Sequence, residues 1–120
     1  MRKPALILLA ILVGCAAEIR AQSTSGSEAD RTAIKQTALD YIEGWYEGNA
    51  ERMERALHPE LAKRIVRTNA QGQNRLDQMS AMTLVTYTRG GGGKQTPKEK
   101  QQKHVTILDV FENAASAKIV

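Results

Sequence analysis

DYIEGWYEGNAERMERALHPEL, residues 40–61, is the stretch on which the fold turns. It holds the only tryptophan, two of the three tyrosines and one of the two histidines of a chain that is only 4% aromatic. Tyr41, Ile42 and Trp45 continue upstream through Ala38 and Ile34 at helical spacing, which predicts a first helix ending near Glu47. Gly48 supplies a left-handed C-terminal cap, and Asn49 can cap a second helix whose buried face is Met53, Ala56 and Leu57. Pro59 disfavours helical dihedrals at His58, so the second helix ends there, and PELAKR begins as a further short turn. A helical hairpin with a histidine at its exit is the result.

Working upstream, Ser27 and Asp30 stand three apart as in a capping box at the start of the first helix. Before them QSTSGS (22–27) is too polar to order itself, and residues 22–29 are expected to form a flexible tether ahead of a domain spanning 30–120. Residues 1–21 read as a secretory signal: a basic start at Arg2 and Lys3, an apolar run too short to span a bilayer, and a small-residue tail. Export, to the periplasm or medium, is therefore expected. Two processing routes fit, a cut after Ala21 or lipid attachment at Cys15, because LVGC (12–15) is similar to a bacterial lipobox. Cys15 is the sole cysteine, so a chain cut after Ala21 has no thiol, disulfide or cysteine metal site. Arg2, Lys3 and Arg20 against Glu18 account for two of the four net positive charges. The remainder is too mild to argue for nucleic acid, and no basic-aromatic RNA motif occurs.

Downstream, RIVRT (64–68) predicts a strand and NAQGQNR (69–75) a turn-rich connection. Leu76, Met79, Met82 and Val85 predict a third helix ending near Arg89, with Ser80 capping it in part. RGGGGKQT lacks the glycine and hydroxyl placement of a phosphate loop and reads as a flexible connector. HVTILDVF, the turn at Glu112-Asn113 and AASAKIV predict an antiparallel hairpin. The order helix, helix, strand, helix, hairpin is α+β.

With these elements in place, DYIEGWYEGNAERMERALHPELAKRIV, the glycine run and ILDVFENAASAKIV resemble the putative lumazine-binding family of the NTF2-like (SnoaL/ketosteroid-isomerase-like) superfamily over about residues 30–120. The resemblance implies an α+β cone, helices packed on a curved antiparallel sheet around a deep pocket. Family members continue with two or more strands absent from this sequence, so the expectation is a cone incomplete at its C-terminus, with an open sheet edge and a homodimer as one way to cover it.

A fold of this kind hosts enzymes and binding modules alike, so chemistry must be read from residues. Ketosteroid isomerase relatives place an oxyanion-stabilising tyrosine where Tyr41 stands, yet the strand that should carry their carboxylate base offers Ile65, Val66 and Arg67. Tyr41, His58 and Asp109 are the catalytic candidates; Tyr41, Trp45, His58 and Met82 are the ligand-binding candidates. Each also has a plainer structural reading, as a packed tyrosine, a core indole and a histidine capping the turn after it. Alternation in HVTILDVF would place Val105, Ile107, Asp109 and Phe111 on one face, with Asp109 favoured at the rim or outward. The histidines are isolated and no metal-binding spacing occurs, so no metal and no cofactor are expected. The reading is an exported domain binding a small apolar or aromatic molecule. The alternatives are an isomerase- or dehydratase-type enzyme and a dimerising interaction module.

Overall fold

The computed structural model describes residues 26–120. Both processing candidates, Cys15 and Ala21, lie outside the described residues. Helix α1 (Glu28–Glu47) opens on the capping box: Ser27 Oγ accepts from the Asp30 amide at 3.1 Å, and Asp30 accepts from the Ser27 amide at 2.9 Å. The helix thus starts two residues before the domain boundary at 30. It ends at Gly48, whose φ of 66° is the left-handed cap that a residue without Cβ adopts at least cost. Asn49 then accepts from the Arg52 amide at 3.0 Å and starts α2 (Ala50–Ala56). Met53 on α2 is fully buried, with Ala56 and Leu57 half-buried, so the helical hairpin has the predicted seam.

The middle of the chain departs from expectation. Strand β1 (Lys63–Thr68) pairs antiparallel with a second strand, β2 (Asn74–Met79), in a register that sets Val66 opposite Leu76. Leu76 and Met79 therefore belong to a hairpin and not to the third helix. Turn chemistry decides it. Asn69 Oδ1 accepts from the amides of Gln71 (3.0 Å) and Gln73 (2.9 Å), folding the chain back on itself. Asp77 then accepts from Arg67 at 2.7 Å across the strands and pairs with Arg75 at 2.9 Å. Three-residue spacing of Leu76, Met79 and Met82 imitates a helix stripe but carries no such pairing.

Helix α3 (Ala81–Arg89) begins only after Ser80, which caps it by accepting from the Thr83 amide at 3.2 Å. With the start moved, the buried face moves too. Ala81, Leu84 and Thr88 face inward, while Met82 is 80% exposed. Thr88 satisfies its hydroxyl by donating to the Leu84 carbonyl at 2.8 Å.

A tight glycine turn and a 3-10 turn (Lys98–Lys100) lead to β3 (Val105–Phe111) and β4 (Ala114–Ile119), joined at Glu112-Asn113 as expected. The register places Ile107 opposite Ala117 and Asp109 opposite Ser116, leaving Leu108 as the extra residue of a β-bulge. The bulge resets the alternation. Val105 and Val110 are buried and Ile107 half-buried, whereas Leu108, Asp109 and Phe111 are exposed. Asp109 and Phe111 thus do not share a row with Val105 and Ile107.

Helix α1 lies against β3 and β4 on one side and against α2 on the other, and α2 packs on α3. The arrangement is α+β, two antiparallel hairpins with helices, consistent with an incomplete NTF2-like cone. Among the described residues the two hairpins form separate two-stranded sheets.

Candidate functional site

A groove of about 320 Å³ opens between α1, the end of α2, the entry to β1 and the end of β4. Its walls are Ile34, Ala38, Ala56, Leu57, Leu61 and Ile119, and its polar features are Thr37, Tyr41 and Lys63. Among the described residues no carboxylate or imidazole lines it.

Tyr41 and Lys63 are joined. Lys63 Nζ donates to the Tyr41 hydroxyl oxygen at 2.7 Å. The same nitrogen is 5.3 Å from the ring centroid, nearly the sum of that hydrogen bond and the reach from ring centre to hydroxyl. It therefore lies off the hydroxyl end of the ring, and hydrogen bonding rather than the ring face holds it. Both residues are half-buried. Tyr41 is carried by a long capped helix, and Lys63 opens β1 opposite Met79, so regular elements position both side chains.

A second groove, of about 360 Å³, runs between α2 and α3, lined by Leu57, Met82 and Val85 together with Glu54 and Arg89. Leu57 contributes to both grooves. The four ligand-binding candidates therefore do not converge. Tyr41 belongs to the first groove and Met82 to the second. Trp45 packs against the glycine turn: a Cβ at Gly92 would come within 2.5 Å of its ring, and one at Gly93 within 2.4 Å of its carbonyl oxygen. RGGGGKQT is thus a packed turn shaped by an indole rather than a flexible connector. The stem of Lys94 crosses Gly48, placing a cation near the C-terminal end of α1.

His58 is exposed at the joint after α2 and accepts from the Glu60 amide through Nδ1 at 3.1 Å, the turn-capping role of its structural reading. Asp109 is exposed beside the bulge. Neither lines the Tyr41 groove. Among the described residues no cluster of three histidine, cysteine, aspartate or glutamate side chains could hold a metal ion.

The most elaborate polar cluster lies between α1 and α2. Asp40 is buried on α1, accepting from Arg52 Nε at 2.8 Å, Arg55 Nε at 3.1 Å and Gln36 Nε2 at 3.2 Å. Arg52 also bonds Glu43, and Glu47 at 3.0 Å, so one guanidinium spans three acids of α1. Hydrogen bonds from Arg52 and then Arg55 hold the Asp40 carboxyl below the usual aspartate range, and Asp40 chiefly raises Arg52. The signal was present in the spacing. Asp40, Glu43 and Glu47 form one acidic stripe three and four residues apart, which a helix turning back at Gly48 must meet with a cation. This cluster locks α1 to α2, with the buried Asp40 carboxylate satisfied by Arg52, Arg55 and Gln36.

A family model described as putative lumazine-binding matches residues 29–120. No curated protein matches the chain, nor does any solved structure.

Proposed function

The chain belongs to the putative lumazine-binding family, and from that premise we propose that it binds a small, largely apolar or aromatic molecule in the groove between α1 and β4, and does so after export. The observation that carries this reading is the Tyr41 groove itself. Its walls are almost wholly apolar, and one fixed polar pair sits among them, the composition by which small-molecule sites obtain both affinity and orientation. It also lies where α1, the end of α2, the entry to β1 and the end of β4 come together.

Binding rather than catalysis is the reading favoured by the residues present. An acid-base site needs a carboxylate or imidazole within reach of the reacting atoms. Here the hydroxyl of Tyr41 faces an ammonium group, while His58 and Asp109 lie outside the groove. The α2–α3 groove is the lesser candidate, because Met82 stands largely in solvent and no polar pair in it is fixed by a hydrogen bond among the described residues.

Export rests on residues 1–21, with either a mature start at Gln22 or a lipid on Cys15 as its product. Binding is tested by titrating the protein with a naphthalene-sized probe, 2-naphthamide, to millimolar concentration by calorimetry, in parallel with Ala38→Trp, which fills the groove from α1. Binding by the native protein and none by the variant is expected. Undiminished binding by Ala38→Trp overturns the assignment.

A further inference from the structure

We propose that the ligand of this groove is an anion, a small apolar or aromatic molecule carrying a single carboxylate-type group, with Lys63 as its countercharge and the Tyr41 hydroxyl as a second donor. The inference rests on the groove being the binding site and specifies what it selects.

It begins with charge. Lys63 is half-buried, with apolar side chains around its stem. Among the described residues it makes no ion pair and, with Arg31, is one of two unpaired lysine or arginine side chains that are half-buried, the other unpaired ones being exposed. Among the described residues no acidic side chain lines the groove. A cation drawn partly out of water without a countercharge is costly, and a bound anion removes that cost.

Hydrogen-bond inventory leads to the same chemistry. An ammonium group has three donors and no acceptor, and Lys63 directs one of them to the Tyr41 oxygen. Because that oxygen accepts, the proton of Tyr41 is left to donate elsewhere, and among the described residues it has no acceptor. The polar pair therefore presents only donors to an apolar groove. A carboxylate provides two acceptor oxygens and the missing negative charge together, and charge-assisted bonds of this type are the stronger class. An uncharged amide or ketone satisfies the donors but leaves the ammonium uncompensated. One cation and one hydroxyl also match a monoanion better than a dianion such as a phosphate ester, for which clustered or bidentate arginines are the usual partner.

The pair is also set in advance. Lys63 is fixed by β1 pairing and Tyr41 by α1, so little is lost in ordering them around a ligand.

The test compares 2-naphthoate with 2-naphthamide, alike in shape and different in charge, by calorimetry on the full chain. Naphthoate is expected to bind roughly tenfold or more tightly than the amide, with the preference shrinking as salt is raised. Lys63→Met keeps the apolar stem and should abolish the preference, so that naphthoate binds the variant no more tightly than the amide does. Tyr41→Phe should weaken naphthoate by several-fold. Equal affinity of the two probes for the native protein overturns the anionic assignment and leaves the groove intact. Binding of neither overturns both. A preference that persists in Lys63→Met also overturns the proposal, since another cation would then be responsible. Melting curves of the variants, with Lys63→Gln as a second substitution, separate loss of the site from loss of the fold, and the salt dependence of the native protein tests the charge without any substitution.

Discussion

Gly93→Ala is the perturbation for which the structure makes the sharpest demand. A methyl at Gly93 would sit 2.4 Å from the Trp45 carbonyl oxygen and 2.5 Å from its Cδ1, about 1 Å inside ordinary contact. The obstacle is a helix carbonyl and an indole ring, neither of which swings aside freely. Overpacking of this kind costs about 1–3 kcal/mol, and ~2 kcal/mol in a domain of this size lowers the melting temperature by about 8–16 °C. Gly90→Ala is the matched control. Its φ of −73° is ordinary for alanine, and its methyl would meet nothing nearer than 3.5 Å. There the loss of unfolded-state entropy should leave stability unchanged or raise it by up to about 1 kcal/mol. Circular dichroism gives the melting temperatures, and the fluorescence of Trp45, the only tryptophan, reports the contact itself. If the two variants melt together with unshifted fluorescence, the glycine run is a slack connector and the packing of Trp45 upon it is refuted.

Asp40→Asn should cost about 1–3 kcal/mol, since at a buried position it removes the negative charge and turns one of the two oxygens that accept from Arg52 and Arg55 into an NH2 donor. The pH dependence has a defined sign. The folded Asp40 carboxyl lies below its ordinary value of 3.8, so its contribution is complete above that value and is lost as pH falls through the lower folded one. Asp30 and Asp77 shift the same way, so the native protein should weaken below about pH 4, and Asp40→Asn should show a shallower decline in urea titrations across that range. A decline as steep as the native one excludes Asp40 from the linkage. Met53→Ala should destabilise by about 2–5 kcal/mol and Met82→Ala by less than about 0.5, because the first side chain is fully buried and the second is 80% exposed; similar urea midpoints contradict this packing. Asp109→Asn should leave both melting temperature and probe binding unchanged, and a loss of binding would return Asp109 to the site.

Which parts of this molecule were legible in its sequence follows the range of the forces involved. Caps are local. Ser27, Gly48, Asn49 and the Glu112-Asn113 turn were read correctly because each acts on residues three or four away. The β1–β2 hairpin was missed because its signal is divided. Asn69 closes the turn through its own side chain, while Arg67 and Asp77 lock strands with almost no β-branched residue on the second one. The error then propagated, since a helix begun at Leu76 faces Met82 inward, and one begun at Ala81 faces Leu84 and Thr88 inward. The bulge at Leu108 leaves no mark in the alternation of HVTILDVF, which reads as an unbroken strand. Tyr41 could be nominated from its helix, but Lys63, read as part of a turn, could not. Its partnership with Tyr41 spans 22 positions and depends on how β1 leaves the helical hairpin.

The claim that the Tyr41 groove is where this protein meets its ligand is most directly tested by methyl NMR of the labelled protein during titration with 2-naphthoate. The methyl signals of Ile34, Ala38, Leu61 and Ile119 should shift together, with intermolecular contacts to the naphthalene ring and a shared dissociation constant. Shifts confined to Met82 and Val85, or none at millimolar probe, would contradict it.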